Sequence, residues 1–275
     1  MSPYVNTGSL VTEEEEINDS NSWDDSLDWE NYQVKDNISI VDNHIELSKS
    51  DVELDHPDAI HHYDASQEDY NDGDSVDTIT DWLTSYDLTG GGATFIENEK
   101  NDNPVFQFTG ESDELDNSNP SFDQPYTIIW VGYAESDLYD SDRATLISSV
   151  SGSNRLALYN NDGDYATYDG SWWRTDVEFV TYEWKILTLM LDYDGDEYIL
   201  RINGDYREGD DPSTLGDGES VGGIRLGNGY STAADERYFS GYISEIVIYE
   251  DRLSESEMLD EESRVSGKWN IPLDI

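Results

Sequence analysis

Phe239-Ser240-Gly241-Tyr242-Ile243-Ser244-Glu245-Ile246-Val247-Ile248-Tyr249 reads as a long β-strand, rich in β-branched and aromatic residues from Tyr242 onward. Arg252-Leu253-Ser254 follows it, and Glu257 stands three residues beyond Ser254. That spacing predicts a capping box, in which each side chain satisfies the other residue's backbone N–H at a helix start. Met258, Leu259 and Val265 fall on one face of the predicted helix, and Gly267 marks its end. The helix is expected to cover a sheet edge or one end of a β-body.

Upstream, the pattern from Asp58 is strand after strand, punctuated by Gly, Asn and Asp. Pro104-Val105-Phe106-Gln107-Phe108 stops at Gly110, and Tyr126–Val131 is a continuous apolar run, as expected of a strand covered on both faces. Asn154–Tyr159 runs into Asn160-Asn161-Asp162-Gly163, a hairpin turn signal. Trp184–Leu191 turns through Asp192-Tyr193-Asp194-Gly195-Asp196 into Tyr198–Ile202, which ends at Asn203-Gly204. Gly90-Gly91-Gly92 reads as a flexible turn. Many short strands at regular spacing predict an all-β sandwich over residues 58–275. Residues 1–57 read as an extended acidic arm: Glu13–Glu16 form a charge run, Trp23, Trp29 and Tyr32 are interspersed with acids, and Ile38–Val41 and His44–Leu47 alternate like short strands.

The chain carries 63 Asp and Glu against 14 Lys and Arg, a net charge of −49 over 275 residues. Like charges at that density oppose folding and exclude nucleic acid and anionic membrane surfaces as partners. Yet 8 Trp and 19 Tyr are far from the aromatic-poor signature of disorder. Concentrated salt reconciles the two, because the Debye length falls to about 3 Å at 1 M. The composition therefore predicts a protein adapted to high salt. The absence of cysteine rules out a disulfide scaffold. Met1-Ser2-Pro3-Tyr4-Val5-Asn6 has neither the basic start nor the apolar run of a secretory signal, and no stretch approaches the ~18 apolar residues of a membrane span.

The closing strand and helix, Tyr63-Asp64-Ala65-Ser66, Asp72-Gly73-Asp74-Ser75-Val76, Phe108-Thr109-Gly110, Tyr182-Glu183-Trp184 and the hairpin from Asp192 to Gly204 occur in an order that resembles concanavalin A-like (laminin G-type) domains. The resemblance spans residues 58–275. It implies a two-sheet jelly roll that binds sugars or protein partners, and it allows a weak calcium site at the rim.

The family resembled also contains glycoside hydrolases with a Glu-x-Asp-x-x-Glu strand. Glu111-Ser112-Asp113-Glu114-Leu115-Asp116 and Glu135-Ser136-Asp137-Leu138-Tyr139-Asp140 approach that pattern, but both end in Asp and neither lies in an apolar strand. At this acid content, three specified carboxylates recur by chance roughly three times per chain, so no catalytic residue is assigned. Asp192, Asp194 and Asp196, or Asp162 and Asp164, stand beside glycines like calcium ligands. They lack the remaining ligands of a calcium loop and read as turns. His44, His56, His61 and His62 crowd near the arm boundary, where a His56, His61 and His62 metal site competes with a polar linker, the reading adopted. Sugar binding needs an aromatic face flanked by hydrogen-bonding groups. Tyr168, Asp169, Trp172, Trp173 and Arg174 are the candidate ligand-binding residues, since adjacent tryptophans on a strand cannot both point inward. Trp130 and Trp184 lie in apolar strands and are assigned to the core.

The expected function is a non-enzymatic virion surface protein of a halophilic virus: a capsid turret, decoration or tail-fibre module. The arm would bind other virion proteins, copies of the chain would associate, and the sandwich would meet a host-surface glycan, with no cofactor. The setting is inferred from an outward-facing module without an export signal. A haloarchaeal extracellular lectin and a secreted glycoside hydrolase are the alternatives.

Overall fold

The computed structural model describes residues 38–41, 44–47, 58–110, 113–135, 144–150, 157–161, 163–168, 172–192, 197–207, 220–229 and 238–275. The chain divides into two units, 1–53 and 54–275. In the first, β1 (Ile38–Val41) and β2 (His44–Leu47) form an antiparallel hairpin that pairs Ile38 with Leu47 and Ile40 with Ile45. Trp23, Trp29, Tyr32 and the Glu13–Glu16 run lie outside the described residues.

The second unit begins with β3 (Ala59–Asp64), β4 (Ser75–Ile79), β5 (Leu88–Lys100), β6 (Asn103–Thr109), β7 (Glu114–Phe122), β8 (Tyr126–Ala134) and β9 (Thr145–Ser148). It continues through β10 (Ala157–Asn161), β11 (Asp164–Tyr168), β12 (Trp172–Glu178), β13 (Trp184–Asp192), β14 (Glu197–Ile202), β15 (Asp205–Arg207), β16 (Val221–Leu226) and β17 (Ser240–Tyr249), and ends in helix α1 (Glu255–Trp269). The strands run β12-β11-β10-β9-β16-β7-β5-β6-β17-β8-β13-β14-β15, with β3 beside β17 and β4 beside β5, as a nearly closed antiparallel sheet.

β5 joins the two halves of that sheet. Thr89–Gly91 pair with β7, whereas Thr94–Lys100 pair with β6. The three glycines expected to make a turn lie inside this strand, which corrects that expectation. A Cβ at Gly90 would strike the Glu114 carbonyl, and Gly92 has φ +97° with Asp113 against it. Close backbone approach, not reversal of the chain, is what these residues permit.

The predicted hairpins form. Asn161 pairs with Asp164, and the Asn160 Oδ1 accepts from Gly163 N at 2.9 Å across the turn. Asn203 and Gly204, both at positive φ, join β14 to β15. β8 is buried along its length except at Tyr133. Alternation sends Ile128 and Trp130 into the main core, with Leu187, Leu189, Ile246 and Ile248 from the neighbouring strands and Leu115, Leu146, Leu158 and Ile224 from the other half of the sheet. Ile129, Val131, Ile186, Met190 and Val247 point the other way, into a second cluster with Met258, Val265 and Trp269 of α1.

α1 thus lies on a sheet face, not on an edge or end as expected. A 15-residue helix is marginal alone, and the apolar contacts beneath it supply its stability, at about 1.5–3 kcal/mol per fully buried large side chain. The capping box is present: Ser254 N donates to Glu257 Oε2 at 2.7 Å, and the Ser254 hydroxyl accepts from Glu257 N. Gly267 does not end the helix. Asn270 takes the left-handed cap at φ 49°, so helical structure continues through Trp269, whose ring is needed below.

Candidate functional site

The outer face of β8, β13 and β17 carries the densest chemistry. The β17 register shifts between Ile243 and Glu245, and the bulge sets Glu245 opposite Asp64 of β3 and Val131 of β8. Glu245 is 1% exposed and accepts from Trp269 Nε1 at 2.7 Å, Arg264 Nη2 at 2.8 Å, His62 Nε2 at 3.0 Å and Lys268 Nζ at 3.0 Å. Lys268 also reaches Asp64 Oδ2 at 2.5 Å, while Asp64 Oδ1 caps a short turn through Ser66 N. Burial opposes ionisation of Glu245, but Lys268, then Arg264 and His62, outweigh it and hold the carboxyl well below the usual range.

His62, Asp64 and Glu245 offer ligand atoms within 4.8 Å of one another. Their oxygens already face the Lys268 ammonium and the Arg264 guanidinium, so a divalent ion would have to displace built-in cations. The donor set fits a buried ion-pair network and does not fit a metal centre. Farther along the same face, Glu262 accepts from Arg201 Nε at 2.9 Å and Thr188 Oγ1 at 2.7 Å.

The histidines correct the linker reading. His61 and His62 are buried in β3: His61 Nδ1 lies 2.7 Å from Asp81 Oδ2, and His62 joins Glu245. Two histidines in succession on a strand serve opposite faces, a pattern that the polar surroundings of the sequence hid. His56 lies outside the described residues.

Of the carboxylate motif at 111–116, Glu111 lies outside the described residues and the remaining acids are engaged in structural pairing. Asp113 accepts from Thr109 N and Oγ1; Glu114 accepts from Asn228 Nδ2 at 2.7 Å; Asp116 lies 3.0 Å from Arg225 Nη2. Its last three residues begin β7, a polar strand and not an apolar one, in which Glu114 and Asp116 meet the β16 arginine. Residues 136–140 of the second motif lie outside the described residues. So do Asp162, Asp194 and Asp196 of the calcium candidates; Asp192 pairs with Arg252 at 3.2 Å.

Of the candidate sugar site, Tyr168 ends β11 half-buried and packs on Ala157 and Ala166. The β11–β12 register pairs Tyr168 with Trp172, Thr167 with Trp173 and Ala166 with Arg174. The backbone therefore brings these positions to neighbouring strands. Asp169 and the side chains of Trp172, Trp173 and Arg174 lie outside the description.

Trp130 is core, but Trp184 is not. It stands half-buried on the outer face in cross-strand register with Tyr133, which faces Tyr242 on its other side. The Tyr133 and Trp184 centroids are 5.5 Å apart, Tyr133 and Tyr242 5.7 Å, and Trp184 and Tyr242 6.0 Å at an interplanar angle of 23°. Gln107 Nε2 donates to the Tyr242 hydroxyl at 3.3 Å, and Lys100 Nζ stands 5.6 Å from the Trp184 centroid. Burial, followed by a hydrogen bond to Glu135, pushes the Tyr242 hydroxyl up to about 12. The signal missed in the sequence is that Trp184 and Tyr242 each stand at the start of an apolar run, ahead of its fully buried residues.

No protein-family model matches the chain, and no curated protein matches it. Among solved structures it is similar to Trypanosoma rangeli sialidase in complex with sialic acid, with TM-score 0.56 and 12% identity, over 78% of this chain and 34% of that one. It is also similar to the receptor binding domain of botulinum neurotoxin C/D mosaic serotype, with TM-score 0.53 and 15% identity, over 76% of this chain and 52% of that one. The chain thus spans about a third of the sialidase chain and about half of the toxin domain. At such identity the likeness shows a β-rich, barrel-like fold and no activity. Among the described residues no helix is long and apolar enough to cross a membrane.

Proposed function

We propose that this chain is a non-enzymatic, lectin-like surface module that works in concentrated salt, and that its setting is the virion of a halophilic virus. In this reading the two halves of the sheet are the layers of a concanavalin A-like jelly roll, an arrangement supported by the main core's drawing on both. The arm of residues 1–57 binds other virion proteins, copies of the chain associate, and a host-surface glycan meets the sandwich at Tyr168, Asp169, Trp172, Trp173 and Arg174. No cofactor takes part.

The observation that carries binding over hydrolysis is the state of the buried acids. Glu245, Glu262, Asp64 and Asp81 each have cationic or hydrogen-bonding partners from the fold itself, whereas retaining hydrolysis needs two carboxyls about 5 Å apart and open to substrate. The same economy supports the salt reading: among the described side chains, every Arg and Lys except Lys100 is in an ion pair. Few cations remain to offset the surface acids.

The test is to incubate the full chain in molar salt with haloarchaeal cell envelopes, before and after periodate oxidation of their glycans, and to assay adhesion and released reducing sugar. Adhesion that periodate abolishes, without sugar release, is expected. Catalytic release of sugar would establish the hydrolase alternative instead, and periodate-resistant adhesion would point to a protein receptor.

A further inference from the structure

We infer that Tyr133, Trp184 and Tyr242, bordered by Lys100, Gln107 and Glu135, form a binding site for a neutral hexose chain. The inference takes its ligand class from the carbohydrate-binding reading above, on which it rests, and adds a site separate from Tyr168–Arg174.

The outer face of the sheet is built in rows. Val247 with Ile129, and Val131 with Ile186, lie under α1 and are fully buried. One row farther along β17, β8 and β13, the residues in register are Tyr242, Tyr133 and Trp184, and all three remain half-buried. A row that merely closed the core would need apolar volume and no exposed ring surface. Here three rings from three strands gather within 6.0 Å of one another and stay half-buried, and Trp184 and Tyr242 pack beside the cluster that α1 joins.

What borders the rings gives the ligand. The π face of an aromatic ring is the negative side of its quadrupole and attracts the weakly positive C–H face of a pyranose. A sugar's hydroxyls then need donors and acceptors at the ring edges. Gln107, which donates to the Tyr242 hydroxyl, and Lys100, which donates to the Asn270 carbonyl at 3.3 Å, each carry further N–H groups, and the Glu135 carboxylate beside the Tyr242 hydroxyl supplies an acceptor. An anionic ligand is disfavoured, because Glu135 and Glu99 both act on Tyr242 and the chain's net charge is −49. A cationic ligand is disfavoured too, because the Lys100 ammonium borders the rings and would repel it. A neutral hexose oligomer satisfies both constraints. High salt leaves such contacts intact, since stacking and short hydrogen bonds are not screened as long-range charge is.

The test uses the full chain in about 3 M NaCl, titrated with maltohexaose, mannohexaose and cellohexaose as neutral probes and hexagalacturonate as the acidic one, by tryptophan fluorescence and saturation-transfer NMR. We expect at least one neutral probe to bind, and Trp184→Ala and Tyr242→Ala each to weaken it on the order of tenfold. Lys100→Met and Gln107→Ala leave the rings in place and should weaken it by about threefold, so the conclusion does not hang on the folding of ring-deletion variants. Neutral-probe binding unchanged in all four site variants would overturn this site and leave the carbohydrate reading standing. Binding of hexagalacturonate alone would overturn the ligand class. Failure of every probe to bind would remove both the carbohydrate reading and this site.

Discussion

The two faces of β8, β13 and β17 are made from the same strands and solve burial differently. Toward the main core, Ile128, Trp130, Leu187, Leu189, Ile246 and Ile248 pack together in one apolar cluster. Toward α1, apolar rows are interrupted by Glu245, Thr188 and Arg201, each joined to a polar partner on the helix. The first face is held by shape and area, without direction. On the second, two fixed clusters of charge tie α1 to the strands, and mispacking there would strand a buried ion, which costs far more than a misplaced methyl group. In a chain with 14 basic residues, placing Arg201, Arg264 and Lys268 under one helix is a large commitment.

The largest expected effect touches both faces at once. Transfer from about 3 M to about 0.05 M salt lengthens the Debye length roughly eightfold and restores repulsion among surface acids, so the chain should unfold cooperatively. A melting temperature that is the same at both concentrations would break the salt-adaptation reading.

Glu245→Gln comes next. It leaves Lys268 and Arg264 with less compensation and should cost about 3 kcal/mol or more, measured by denaturant unfolding in molar salt. Because ionised Glu245 has a folded pKa below its unfolded value, its contribution is complete above the ordinary glutamate range. It is lost as pH falls through the depressed folded value. The wild type should therefore lose stability steeply in acid, and Glu245→Gln less steeply; parallel acid limbs would show that the charge of Glu245 is not what matters.

Leu189→Ala, on the opposite face, should cost about 3 kcal/mol through lost contacts and a cavity. The comparison predicts that this loss is the same in neutral and mildly acidic buffer. A pH-dependent loss at Leu189 would mean that the two faces are coupled. The smallest effect is Ser254→Ala, which removes one half of the capping box and should cost about 1 kcal/mol, read as a small fall in melting temperature.

Local chemistry carried the legible part of the fold. The Asn160–Gly163 and Asn203-Gly204 turns, the unbroken run at Tyr126–Val131 and the Ser254–Glu257 start of α1 each depend on residues close in sequence, and each forms. The candidate sites were far less legible. Glu245 was not singled out in the sequence, because its partners His62, Arg264, Lys268 and Trp269 come from β3 and α1. Gly90–Gly92 looked like a turn because the backbone that crowds Gly90, at Glu114, is supplied by another strand. Gly267 looked like a helix end because glycine usually is one. The packing of Trp269 under the helix, with Asn270 available for the left-handed cap, carried the helix two residues further.

The sequence by itself determined the charge, apolar strands such as Tyr126–Val131, the hairpin turns at Asn160–Gly163 and Asn203-Gly204, the helix start and the alternation that gives each strand two faces. Only the tertiary structure decided which layer covers each face and how far that cover reaches: whether a tryptophan opening a strand is core, as Trp130 is within its strand, or a half-open ring, as Trp184 is. The physical reason is that period two assigns side chains to opposite sides without saying what lies on either side. A single bulge, such as the one before Glu245, shifts that assignment for every residue beyond it.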